Sequence, residues 1–120
     1  MKIEPGTEVA VVSGDQKTFL GYGTYVGDEL CPALANLFIE QIKTMETMPQ
    51  LDGTEKPITE EERATMIEQI RSGANRMAFN PKMVLTDGTV IWGCECWWGP
   101  KSKFIENGHA AKYGVTEHGA

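Results

Sequence analysis

The chain predicts a mostly β domain with an α insertion: a small, partly open barrel of about five strands, with two helices between strands two and three. Three observations predict it. Asp87-Gly88 sits between two apolar runs, a strong signal for a tight hairpin. Glycines at 21, 23 and 27 punctuate a strand-like stretch near the start. Between these two regions the apolar period changes from that of a strand to that of a helix. An α+β sheet with helices on one face is the alternative arrangement.

Residues Thr7 to Val12 read as the first strand, and Ser13-Gly14-Asp15-Gln16 as a turn. Lys17 to Val26 is the second strand. Its three glycines fall on one face with Phe19 and Tyr25, as a sharply bent strand or a close backbone approach requires. From Pro32 to Met48, Leu34, Leu37, Phe38, Ile42 and Met45 recur at helical spacing. Pro32 suits the first turn, where its missing N–H is no loss, and Pro49 helps to end the helix. Met48 to Pro57 reads as a polar loop. A second helix spans Glu60 to Ser72, with Thr59 and Glu62 as a capping box, three glutamates at the positive end and Gly73 at the other. Its apolar face of Ala64, Ile67 and Ile70 is thin, which predicts packing on the surface or against a second subunit.

Met77 to Thr86 and Thr89 to Trp98 form the hairpin. A two-residue type I′ turn at Asp87-Gly88 would set Thr86 opposite Thr89, Leu85 opposite Val90, Val84 opposite Ile91, Met83 opposite Trp92 and Lys82 opposite Gly93. Alternation then gives a core face of Met83, Leu85, Val90, Trp92, Cys94, Cys96 and Trp98. The other face carries Lys82, Val84, Ile91, Gly93, Glu95 and Trp97. Phe104-Ile105 reads as a short fifth strand. The tail at 109–120 is glycine-rich and weakly apolar, so weak order is expected there. The whole is one domain, with barrel strands at about 7–27 and 77–105 and a helical insertion at about 32–73. A small barrel of the SH3-like type accounts best for this order of short strands and tight turns.

With 120 residues and 41% hydrophobic content, the chain buries roughly two-thirds of its unfolded surface and needs no disulfide. A net charge of −6 argues against broad, non-specific nucleic-acid binding, which needs a basic face. Three cysteines are an odd set, and the opening residues lack the apolar core of a signal peptide, so a reduced, cytoplasmic setting is expected. No apolar run approaches the ~20 residues of a membrane helix.

Chemistry-bearing motifs are few. Neither histidine has partners that make a recognisable triad, and no phosphate-cradling glycine loop is present, so no enzyme and no cofactor are expected. Cys94 and Cys96 share a strand face. With Cys31 and His109 they could make a zinc site, but small buried hydrophobes beside tryptophan is the simpler reading. The most specific feature is aromatic and basic. Trp97 shares a face with Lys82, and Lys101 and Lys103 follow the strand. An exposed indole stacks on a nucleobase, lysines hold phosphate, and Asn80 and Glu95 can read a base edge or a ribose. The expected ligand is therefore a small anionic molecule such as a nucleotide. Exposed aromatics on such a barrel could instead dock an extended peptide of a partner protein. Self-association is expected under either reading.

The strings Asn80–Leu85, Asp87-Gly88 and Trp92-Gly93-Cys94-Glu95-Cys96-Trp97-Trp98-Gly99-Pro100, with Gly21-Tyr22-Gly23-Thr24-Tyr25-Val26-Gly27, resemble short, mostly uncharacterised proteins encoded by tailed bacteriophages. The likeness covers the two strand pairs, under half of the chain. It implies a phage accessory protein in the bacterial host cytoplasm. Small phage proteins include inhibitors of host defence, some of which sequester cyclic-nucleotide immune signals without cleaving them.

Overall fold

A run of valines and alanine starts the sheet. In the computed structural model, which describes residues 3–118, β1 (Glu8–Ser13) buries Val9, Ala10, Val11 and Val12 alike. Burial on both faces marks an interior strand, and β1 lies between two others. The following turn returns the chain into β2 (Phe19–Leu30), antiparallel to β1. The register slips between Val11, opposite Gly21, and Val12, opposite Phe19, so Leu20 is the extra residue of a bulge.

The protein is a mixed α/β fold with a five-stranded antiparallel sheet. Its chain separates into two compact units, one made of the chain up to Glu29 and from Asn80 onward, the other of Leu30–Phe79. In the second unit, α1 (Pro32–Thr44) has Cys31 as its N-cap and Pro32 in its first turn. The expected polar loop is a small hairpin instead. Here β3 (Thr47–Pro49) pairs with β4 (Glu55–Pro57) around a turn in which the Asp52 carboxylate accepts from the Thr54 amide and hydroxyl. This ends α1 four residues before Met48, because Thr47 onward is taken up in strand pairing. Then α2 (Glu60–Ser72) starts at the Thr59–Glu62 capping box, with both reciprocal bonds formed, and ends at Gly73 in the left-handed conformation (φ +80°). Its thin apolar face packs on α1: Ile70 is fully buried with Ala35, Ile39 and Ile42, and Met66 and Ile67 border them.

In the first unit, β5 (Phe79–Leu85) and β6 (Val90–Trp92) form the expected hairpin in a different register. Lys82 faces Trp92, Met83 faces Ile91 and Val84 faces Val90. The loop closes between Leu85 and Thr89, with the Gly88 amide donating to the Leu85 carbonyl and Gly88 at φ +89°. It is thus a three-residue turn with a left-handed glycine rather than a two-residue one. The Asp87 carboxylate accepts the Thr89 amide and holds that longer loop. A slip of one residue exchanges the faces of a strand. Ile91 therefore joins the core with Met83, and Val90 turns out to solvent.

The expected single strand from Thr89 to Trp98 is broken. A 3-10 turn at Gly93–Glu95 leads from β6 into β7 (Cys96–Pro100), which pairs with β1, not with β5. The sheet order is β6-β5-β2-β1-β7, so adjacent segments of chain occupy opposite edges. In a flat sheet those edges would lie about 19 Å apart, whereas the chain from Trp92 to Cys96 spans at most about 14 Å. The sheet must curl. Gly23 marks the tightest part of the curl: a Cβ there would lie 2.4 Å from the Val84 carbonyl oxygen. Val9, Val11, Tyr25, Met83 and Leu85 fill the hollow, and Trp98 stacks on Tyr25 with ring centroids 5.2 Å apart. The edges β6 and β7 are not hydrogen-bonded to each other, so the sheet is not closed into a barrel.

Phe104-Ile105 is helical rather than a strand. It lies in α3 (Lys101–Glu106), followed through Gly108 by α4 (His109–Lys112). The helix sets Phe104 against Phe19 and Tyr22, at 5.6 and 6.0 Å between centroids, an apolar contact that a further edge strand would forgo. The tail is tied back: Tyr113 donates to the Gln16 carbonyl and Tyr22 to the Thr116 carbonyl.

Candidate functional site

Where β7 meets the β1–β2 turn and the two short helices, the first unit carries a cleft of about 280 Å³. Trp97 forms one side. Strand alternation turns Trp98 into the core and leaves Trp97 outside, 57% exposed. The indole does not swing freely, because its Nε1–H donates to the Gly14 carbonyl at 3.0 Å. The cleft is also lined by Lys103 and Phe104 of α3, His109 and Lys112 of α4, and Tyr113. The ring of Tyr113 stacks on Phe104 at 6.1 Å, and the Lys112 ammonium lies 5.6 Å from the Tyr113 ring centre. Among the described lining residues none is a carboxylate. The walls are therefore aromatic and basic within a chain that is acidic as a whole.

The structure brings Trp97 and Lys103 together in this cleft and disperses the other expected ligand residues. Lys82 lies at the hairpin edge, 3.2 Å from the Glu29 carboxylate and 5.9 Å from the Trp92 ring centre. Lys101 pairs with Glu8 at 3.4 Å and covers the Tyr22 ring at 4.6 Å. Asn80 and Glu95 hold the crossover: Asn80 Oδ1 accepts the Cys94 amide at 2.7 Å, and Glu95 Oε1 accepts the Trp92 amide at 3.1 Å. Both serve the short turn that joins the two sheet edges. Glu95 was expected to follow strand alternation, and the break at Gly93 removes that premise.

The cysteines are separated by environment. Cys31 is buried at the start of α1, Cys94 is exposed, and Cys96 is half-buried with its thiol against the Trp92 carbonyl. Burial first, then the charges of Glu95 and Cys94, push the Cys96 thiol up to about 11, so it is a poor thiolate at neutral pH. Among the described residues, no three Cys, His, Asp or Glu side chains converge as a metal site would need. His109 lies beside Phe104, 5.8 Å between rings.

Sequence reasoning missed Gln16, Phe104, His109, Lys112 and Tyr113 as lining residues. A signal was present for three of them. His109, Lys112 and Tyr113 are spaced i, i+3, i+4, which puts them on one face of any helix starting after Gly108. Gln16 had none, because its place depends on the turn conformation. Comparison with protein-family models, with curated proteins and with solved structures gives no match to this chain.

Proposed function

We propose that the protein binds, without turning over, a small anionic ligand with a flat aromatic part, by chemistry a nucleotide. The carrying observation is the exposed, hydrogen-bonded indole of Trp97 sharing a cleft with Lys112 and with Lys103, whose ammonium lies 3.5 Å from the Glu106 carboxylate, while none of the described lining residues is itself a carboxylate. Stacking contributes about 1–3 kcal/mol per base, and an aromatic side chain already held in place loses little freedom on binding. The two lysines supply the counter-charge for phosphate.

Within this reading the curled five-stranded sheet is SH3-like, and the protein acts as a phage accessory factor that sequesters a host cyclic-nucleotide immune signal in the bacterial cytoplasm. Self-association belongs to the same proposal. Exposed Leu37 and Met77 on the helical unit support it, and sedimentation measures it. Among the described residues no helix is long and apolar enough to cross a membrane.

Thermal unfolding against a panel of linear and cyclic nucleotides tests the reading. A ligand at 100 times its Kd adds about 2.7 kcal/mol, a rise of several degrees. The expected result is a rise with at least one nucleotide, recovered chemically intact, and no rise for Trp97→Ala. No rise with any of them favours the second reading, a module that docks an extended partner peptide. Its support is the exposure of Trp97 and Val90 on short sheet-edge strands, the kind of surface used for such docking.

A further inference from the structure

Among the described residues that line the cleft, His109 is the one whose kind of side chain changes charge between pH 5 and pH 8. Ring contact gives its direction. Its imidazole lies 5.8 Å from the Phe104 ring, which lines the same cleft. His109 and Lys112 are three residues apart on α4 and so are neighbours on its surface. The charged groups around the imidazole come from few elements. On α3, which packs on α4, Lys103 and Glu106 pair at 3.5 Å, while Lys101 is turned to Glu8 and Tyr22. On α4 itself there is Lys112. Neither Asp15 nor Lys17 of the β1–β2 turn lines the cleft, and the Asp15 carboxylate is taken by the Ser13 hydroxyl and the Lys17 amide. Glu106 offsets part of the charge of Lys103, so protonation of His109 adds substantially to the positive charge of these walls.

Resting on the reading of this cleft as a cyclic-nucleotide site, we infer that His109 is a further cation for the ligand's phosphate, beside Lys103 and Lys112, and that capture of the ligand is coupled to uptake of a proton. A phosphodiester held against His109 favours the imidazolium over the imidazole, and both ring nitrogens of the imidazolium are donors. By linkage, the proton strengthens binding of the anion by the same factor. The sign follows from this. The imidazolium is favoured at low pH, so affinity rises as pH falls through the histidine range and declines as pH rises through it. His109 is exposed, which holds the coupling to about fivefold, the low end for linked sites. An imidazole that only packs on Phe104 gives no such dependence.

Titration calorimetry with cyclic AMP, cyclic GMP and cyclic di-AMP at about pH 6 and about pH 8 tests the inference, on the wild type, His109→Asn, His109→Lys and His118→Asn. These probes are phosphodiesters and keep their charge across the range, whereas a phosphate monoester itself titrates near pH 6. The wild type should bind at least one of them about fivefold more tightly at the lower pH. His109→Asn should bind at the wild type's weaker level at both pH values, and His109→Lys at its tighter level at both. His118, with its side chain 87% exposed beside Glu117 and outside the lining of the cleft, is the control, and His118→Asn should keep the wild-type dependence. A wild-type affinity that does not change with pH, or a dependence that survives His109→Asn or disappears in His118→Asn, overturns the role of His109 and leaves the cleft as a nucleotide site. Binding of linear nucleotides alone overturns the pairing of His109 with a phosphodiester, and a nucleotide panel without any response overturns the reading beneath it.

Discussion

Trp97 and Trp98 are neighbours in the chain, and strand geometry gives them opposite work. Trp98 is partly buried and stacks on Tyr25 inside the curl, so Trp98→Ala should cost about 3 kcal/mol, the low end for truncation of a packed aromatic, and chemical denaturation measures it. Trp97 contributes one hydrogen bond to the turn, and its removal should cost only about 1 kcal/mol while abolishing ligand binding. Equal stability losses for the two variants would contradict this division. The glycines divide in the same way. A methyl at Gly23 would collide with the backbone of Val84 and Leu85, which cannot yield as a side-chain tip could. Gly23→Ala should therefore cost about 3 kcal/mol. Gly99 has open space at its Cβ position, so Gly99→Ala should stay within about 0.5 kcal/mol of the wild type.

At the scale of elements, what was legible in the sequence is what local chemistry decides. The two helices announce themselves through Pro32, the Thr59–Glu62 capping box and Gly73, and α2 has the bounds that its caps predict. Glu62 is held down to about 2, first by the Lys56 ammonium and then by the Thr59 amide and hydroxyl. A carboxylate depressed by folding stabilises the protein above its unfolded value, near 4.5, and loses that contribution as pH falls toward 2. Acid unfolding of Glu62→Gln should accordingly show a shallower loss of stability between about pH 5 and pH 2 than the wild type. An unchanged acid transition would mean that the box does not couple to folding. The hairpin was legible in place and not in register, because Asp87-Gly88 fits both a two-residue and a three-residue loop. The break at Gly93 and the helix at Phe104 were not legible at all. Both depend on partners distant in sequence: β1 for Cys96–Pro100, Phe19 and Tyr22 for Phe104. Of the candidate site, Trp97 and Lys103 were readable from one strand and its end, whereas Gln16, His109, Lys112 and Tyr113 come from segments that only the fold unites.

At the scale of the first unit, the connection through Gly93–Glu95 sets the architecture. It forces the curl, encloses the Tyr25–Trp98 stack and brings the start of α3 beside the β1–β2 turn, which together make the cleft. An interior strand buried on both faces should be the last to open. Backbone amides of Val9 to Val11 should thus exchange more slowly than those of β6 and β7, and faster exchange in β1 would contradict the strand order. The central claim, that the cleft at Trp97 binds a nucleotide, is tested most directly by locating the ligand. Titrating isotope-labelled protein with the nucleotide of the panel that raises its Tm most, and following its NMR spectrum, does this. The account predicts shifts concentrated on the Trp97 indole N–H and on Gln16, Lys103, Lys112 and Tyr113, with Lys82, Trp92 and the helical unit unmoved. A spectrum that does not change, or shifts gathered around Lys82 and Trp92 instead, would contradict it.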